Sequence, residues 1–403
     1  MNLFLYLDPG TGSLLLYAVL GVCASLLFIA KKWLGSLRLL LLGRSRAGLG
    51  GQGSGIVIYA ENGHYYNTFR PLLEEFIRNR KEVFYVTSDS NDPVFALDSE
   101  YVRTICPGNE YKTISFLNGL TADIVVSTTP HLDIYMWRRS KGVKRYVHLF
   151  HAPTSIDVYE KYALSFYDVI INAVPEAEAA QRYLDGKRKL PPKTYYTAGC
   201  TYFDPMLAGR DSSGSPPAGR SVLYAPSWGQ RSSLRTYGEE IIRNLLDAGY
   251  SVTFRPHPQS LTADKDKVGL IKERFSGNGR FRIDTDASGM SSMAGSDLMI
   301  SDFSGVIFDY RVLFGRPVLL ASSGLRLGGY EVEDLPPELQ YDIPVTKRIT
   351  RELSEEDIPR IADVVREELG AGGEVRELPH VPNLGHAGEK VFGILQEIEE
   401  ELR

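Results

Sequence analysis

Residues 55–87 read GIVIYAENGHYYNTFRPLLEEFIRNRKEVFYVT, and the order of patterns within them decides the fold. Gly55 to Tyr59 is a short apolar run rich in β-branched residues, as expected of a strand buried on both faces. Tyr66 to Arg80 then places Phe69, Leu72, Leu73, Phe76 and Ile77 at helical spacing, and Glu82 to Thr87 returns to strand composition.

The alternation continues outward. Val102 to Cys106, Ile124 to Ser127 and Arg145 to Phe150 are further strand candidates, giving a doubly wound α/β pattern with a mostly parallel sheet. Asp211 to Gly219 (DSSGSPPAG) breaks it with the composition of a surface linker. A second set follows at Ser221 to Ala225, Ser251 to Arg255, Phe281 to Ile283, Asp297 to Ser301 and Pro317 to Leu320. Two Rossmann-like domains are expected, 55–210 and 220–350, with acidic helices over 351–403 packing across them. The length of 403 residues agrees, because one hydrophobic core rarely grows so large.

Hydrophobic residues at 43% and charged residues at 24% are ordinary globular usage. A net charge of -5 with a pI near 5.9 gives no general attraction to nucleic acid, so an anionic ligand must be held by a local site. Cys23, Cys106 and Cys200 lie far apart without metal-ligand spacing and fit a reduced compartment. Near the start, Leu14 to Ala30 carries no charge and is followed by Lys31, Lys32, Trp33 and Arg38. This predicts a membrane anchor within 1–42, a single transmembrane helix that leaves the bulk of the chain in the cytoplasm. An interfacial helix or monotopic hairpin is the alternative. Residues 43–54 read as a Gly-rich linker; its glycines lack the Gly-Lys-Ser/Thr ending and the preceding strand of a phosphate loop.

In open α/β sheets ligands bind beyond the carboxyl ends of the strands, so the residues just after strands are the candidates for chemistry. Pro153 ends the strand through Phe150 and leaves His151 at its tip, suited to act as a general base; a structural histidine bonded to a backbone carbonyl is the alternative. Arg255-Pro-His257-Pro fixes an imidazole between two prolines beside a guanidinium able to pair with phosphate, and otherwise reads as a rigid turn. Ser301-Asp302-Phe-Ser304-Gly305 runs from a strand into a helix, offering hydroxyls and free amides to a diphosphate or, equally, ordinary helix caps. After Ser221 to Ala225 come Pro226 and Trp228, the latter able to stack on a base or ribose or to fill the cleft wall. No His-Glu-x-x-His or clustered Cys/His pattern appears, so no metal site or cofactor is expected, and Mg²⁺ is not indicated.

These segments, in this order, resemble the CDP-glycerol glycerophosphotransferases, the teichoic acid primases and polymerases. Leu223 to Trp228 is similar to that family's Leu-Tyr-Ala-Pro-Thr-Trp with Ser227 for Thr, and Arg255 to Pro258 matches its Arg-x-His-Pro. Ser301 to Gly305 with Phe308 to Tyr310 resembles its Ser/Thr-Asp-Tyr-Ser-Ser and Phe-Asp-Tyr. His151 to Thr154 resembles its His-Gly-Thr-Pro but departs at Ala152 and in the order of Pro and Thr. Gly199 to Leu207 keeps the Gly, Asp204 and Leu of another family segment but lacks its Pro and Arg, and Asn383 to Lys390 resembles the closing stretch.

The resemblance implies a GT-B fold, two Rossmann-like domains facing a cleft. It implies glycerol phosphate transfer from CDP-glycerol to a hydroxyl of a lipid-linked cell-wall polymer, releasing CMP. His151 and His257 would be catalytic, and Asp309 would meet ribose or glycerol hydroxyls. A UDP-sugar glycosyltransferase or nucleotide-sugar epimerase of the same fold is one alternative, and a non-catalytic membrane scaffold with a degenerate site is another.

Overall fold

The computed structural model describes residues 55–210, 220–230, 232–286, 289–321, 328–370 and 376–403. The first sheet comprises β1 (Ile56–Ala60), β2 (Val83–Thr87), β3 (Val102–Ile105), β4 (Thr121–Ser127), β5 (Gly142–Leu149), β6 (Val169–Asn172) and β7 (Thr194–Thr197). Its order is β3-β2-β1-β4-β5-β6-β7, parallel throughout. Ile58 sits between Tyr85 and Val126 in register. Every residue of β1 is buried, as its unbroken apolar run requires of a strand covered on both faces.

The second sheet repeats the plan with β8 (Ser221–Ala225), β9 (Ser251–Phe254), β10 (Phe281–Ile283), β11 (Leu298–Ser301), β12 (Val318–Leu320) and β13 (Arg351–Glu352). The order β10-β9-β8-β11-β12-β13 is again parallel. In each sheet the winding reverses at the first strand, between β1 and β4 and between β8 and β11. Those two switch points are where a doubly wound sheet opens a crevice for ligands.

The helix Tyr66–Arg78 buries Phe69, Leu72, Leu73 and Phe76 against the first sheet. The C-terminal helix Ala387–Glu401 returns to this half and packs Val391, Ile394, Leu395 and Ile398 into the same core. The helix Ile361–Leu369 packs on Gly238–Asp247 in the second half. The two C-terminal helices therefore serve opposite halves.

The halves are joined by a polar seam. Asp157 Oδ2 accepts from the amides of Tyr341 (2.6 Å) and Asp342 (3.0 Å), and Asp342 Oδ1 accepts from the Ser155 amide at 2.7 Å. Arg188 binds Glu331 and Asp334, and Lys161 meets Glu333 at 2.8 Å. Breaking a buried pair such as Arg188–Glu331 leaves an uncompensated charge, at a cost of about 3–5 kcal/mol. Beside this seam one continuous apolar core takes Phe203 and Met206 from the first half and Ile307, Phe308 and Tyr310 from the second.

The anchor expected over 1–42 and the linker over 43–54 lie outside the described residues. Among the described residues no helix is long and apolar enough to cross a membrane.

Candidate active site

The carboxyl ends of the two sheets face each other across a cavity of about 400 Å³. The first half contributes His64, Tyr65 and Thr68 from the segment after β1, His151 and Ala152 after β5, and Tyr202 after β7. The second half contributes Ala225 and Pro226 after β8, Arg255 to Pro258 after β9, and Ser304, Gly305, Val306 and Asp309 after β11. Seven of the ten residues singled out in the sequence thus meet at one place: His151, Pro226, Arg255, His257, Ser304, Gly305 and Asp309.

The two histidines differ in state. His151 stands at the β5 tip with Tyr65 edge-on to its ring at 5.4 Å, and its Nδ1 is buried without a hydrogen-bond partner. Burial pushes its pKa down to about 4, so the imidazole is neutral at physiological pH. The backbone-bonded alternative is not what is found: the group accepting from Cys200 Sγ at 3.6 Å is the His151 carbonyl, not the ring. His257 accepts the Gln259 amide at Nδ1, 3.2 Å away. In the neutral ring that bond leaves the proton on Nε2, making it a hydrogen-bond donor. Burial lowers the His257 pKa, with Asp302 opposing.

Arg255 Nη1 is 2.8 Å from Asp284 Oδ2, which also receives the Ser292 hydroxyl. Burial of Asp284 favours its neutral form, but Ser292, the Asp286 amide and Arg255 together outweigh this and hold its pKa below the usual carboxylate range. The helix Val306–Phe314 begins just after Gly305, so its N-terminal amides and the positive end of its dipole face the cavity. Asp309, one turn into that helix, lines the cavity, and burial pushes its pKa up to about 7.

Three of the expected residues lie outside the cavity lining. Ser301 is fully buried and donates to the Ala225 carbonyl at 2.6 Å, tying β11 to β8 beneath the cavity floor. Asp302 uses one carboxylate oxygen for the Ser227 amide and the other for the Ser233 amide at 2.7 Å, so it shapes the loop after β8 and does not face a ligand. Trp228 lies outside the cavity lining, 48% exposed, with its ring centroid 6.3 Å from His257. Sequence reasoning missed His64, Tyr65, Thr68 and Tyr202. The first three follow β1, and strand-tip logic applied to β1 would have found them.

Two motifs without a function in the sequence prove to be mates. Asp204 accepts the amides of Ala387 (3.3 Å) and Gly388 (2.8 Å), and Asn383 donates to the Ala198 carbonyl at 3.1 Å. Gly199, at φ +87°, packs so tightly that a Cβ would stand 2.0 Å from the Pro382 carbonyl oxygen. The Gly199–Leu207 and Asn383–Lys390 segments together dock the C-terminal helix.

Two parallel-sheet Rossmann-like domains with a cavity between their facing carboxyl ends define the GT-B class. Within it, residues 210–327 match the model of the CDP-Glycerol:Poly(glycerophosphate) glycerophosphotransferase family. Among solved structures, the wall teichoic acid polymerase TagF with CDPG is 14% identical with a TM-score of 0.55, the match covering 93% of this chain and 99% of that one. A putative UDP-N-acetylglucosamine 2-epimerase from Listeria monocytogenes is 14% identical (TM-score 0.56, covering 87% and 98%). The UDP-GlcNAc 2-epimerase from Neisseria meningitidis bound to UDP-GlcNAc is 11% identical (TM-score 0.56, covering 85% and 100%). At these identities the likeness establishes the fold. No curated protein matches the sequence.

Proposed function

We propose that the chain transfers glycerol phosphate from CDP-glycerol to a hydroxyl of a lipid-linked cell-wall polymer, releasing CMP. The observation that carries this reading is the convergence of Arg255, His257 and the Ser304–Val306 helix start on one wall of the interdomain cavity, with His151 on the other. The first group supplies a guanidinium, an Nε2–H donor and helix amides to a diphosphate. His151 supplies a neutral imidazole able to accept a proton.

The acceptor oxygen attacks the β-phosphorus, the bond from that phosphorus to the bridging oxygen breaks, and CMP departs with the electron pair. His151 takes the hydroxyl proton. A pKa near 4 makes a weak base, and the negative diphosphate bound beside it raises that basicity toward the working range. Arg255, His257 and the helix amides offset the charge gathering on the leaving CMP. Asp309 accepts a hydroxyl of the donor. The apolar run Leu14 to Ala30, followed by Lys31 and Lys32, would anchor the chain so that this cavity works at the inner face of the membrane.

A UDP-sugar reaction is the second reading, favoured by the likeness in fold to the epimerases. The test is CMP release from CDP-glycerol in the presence of membranes carrying the acceptor. His151→Ala should lower the rate about 10²–10⁴-fold, the usual contribution of a general base, with the fold intact by circular dichroism. His257→Ala should also abolish transfer. Near-normal rates in either variant would remove its assigned role.

A further inference from the structure

A second cavity, of about 540 Å³, opens in the first half beyond β1, β2 and β4 and is closed by the start of the helix Glu110–Asn118. It shares no lining residue with the interdomain cavity, and the transfer mechanism makes no use of it. Its volume is within the range of ligand sites.

The wall combines two kinds of group. Glu61 and Glu110 contribute carboxylates, Tyr59, Tyr135 and Trp137 contribute aromatic rings, and no Lys or Arg is among the lining residues. Tyr59 and Trp137 meet edge to face at 5.1 Å, and the Tyr135 ring lies 4.9 Å from that of His131. Burial is the main cause raising the Glu61 pKa; the Thr129 hydrogen bond opposes it, and the Glu110 charge adds to it. Two carboxylates repelling each other beside aromatic rings favour a positive charge twice over, by Coulomb attraction and through the negative faces of the rings.

The same field excludes other ligands. A phosphate or carboxylate would meet repulsion with no cation to offset it. A neutral molecule would leave both negative charges uncompensated. A metal ion needs a tighter set of donors, and among the described residues no three His, Cys, Asp or Glu side chains group to hold one. An organic cation fits both the volume and the charge.

An independent feature of the wall points to the rest of the ligand. Trp137 is 4% exposed, yet its Nε1–H has no acceptor. Buried donors are nearly always satisfied, so an open N–H on a cavity wall calls for an acceptor oxygen on whatever enters. The loop that carries this wall is held in shape: His131 and Asp133 have left-handed φ angles of 64° and 62°. The His131 amide donates to the Ala163 carbonyl at 2.7 Å and the Asp133 amide to the Trp137 carbonyl at 2.8 Å. Such backbone conformations persist only where the surroundings impose them.

We infer that this cavity binds a small organic ammonium ion that also carries an oxygen acceptor, an amino alcohol or its quaternary form. Its nitrogen would lie between Glu61 and Glu110 against the rings, with its oxygen at the Trp137 Nε1–H. The inference is independent of which nucleotide the interdomain cavity takes.

The test is saturation-transfer NMR with calorimetric titration on the full chain. The probes are choline and ethanolamine, set against two controls. One is 3,3-dimethylbutan-1-ol, which has the shape of choline without its charge; the other is phosphocholine, which adds the phosphate of a lipid headgroup. At least one ammonium probe should bind about tenfold or more tightly than the neutral alcohol, and more tightly than phosphocholine. Glu61→Gln and Glu110→Gln should each weaken that probe about fivefold or more and leave any binding of the alcohol unchanged. Tyr135→Ala, at a residue 49% exposed, removes a ring without opening the core and should weaken the ammonium as well. Circular dichroism and the melting temperature report that each variant is folded. Binding of neither ammonium, equal binding of the alcohol, preference for phosphocholine, or indifference to all three substitutions would overturn the inference.

Discussion

Gly289 closes over the guanidinium of Arg255 so tightly that a Cβ at residue 289 would stand 2.6 Å from Nε and 2.7 Å from Cζ. Gly289 also has φ +64°, a left-handed conformation in which a side chain costs about 1 kcal/mol. Together with Asp284 it fixes the direction in which Arg255 presents itself to the cavity.

Gly289→Ala should therefore harm binding more than folding. The strain lowers the melting temperature by a few degrees, while displacement of Arg255 from Asp284 weakens CMP about tenfold, or about 1.4 kcal/mol. Calorimetric titration of CMP checks this. An unchanged affinity would show that the placement of Arg255 is not what the donor senses.

Asp309 gives the site a pH dependence near neutrality. Burial raises its pKa to about 7, and a diphosphate bound nearby raises it further by repulsion between like charges. Donor binding then takes up a proton, so affinity should fall as pH rises from about 6 to 8. In Asp309→Asn the dependence over that window should flatten, measured as the dissociation constant of CDP-glycerol at each pH.

The Asp157–Asp342 pair makes a separate prediction about stability. Burial is the main cause holding both carboxyls above their usual range, and for Asp342 the neighbouring Asp157 charge adds to it. With the folded pKa raised, the native state holds a proton that the unfolded chain has released. The stability this confers is complete below the ordinary carboxylate range and is lost as pH climbs through the raised values. Asp342→Asn keeps an acceptor for the Ser155 amide and cannot ionise. Its melting temperature should gain on the natural chain as pH increases from 5 to 8, and a constant difference would contradict the assignment.

Much of this was legible in the sequence because parallel strands buried on both faces leave unbroken apolar runs, as in Ile56–Ala60 and Leu298–Ser301. β6 was missed: its four residues, Val169–Asn172, carry too little pattern to separate from a helix edge. β13 has only two residues, Arg351 and Glu352, neither of them apolar. In the site, position after a strand led to His151, Arg255 and His257, which all line the interdomain cavity. The same rule cannot tell a residue that points at ligand from one that turns back to hold the loop. Asp302 and Ser301 share a motif with Ser304 and Gly305 yet face the protein, and groups some seventy residues away in sequence decide it: the amides of Ser227 and Ser233 for Asp302, the Ala225 carbonyl for Ser301.

The central claim is that the interdomain cavity is built for a cytidine diphosphate donor. Thermal unfolding of the chain with CDP-glycerol, CMP, UDP and UDP-GlcNAc tests it most directly, since a ligand at a hundred times its Kd stabilises by about 2.7 kcal/mol. Stabilisation by CDP-glycerol and CMP that is lost in His257→Ala is the expected result; stabilisation by the uridine ligands alone, or by none of the four, would contradict it.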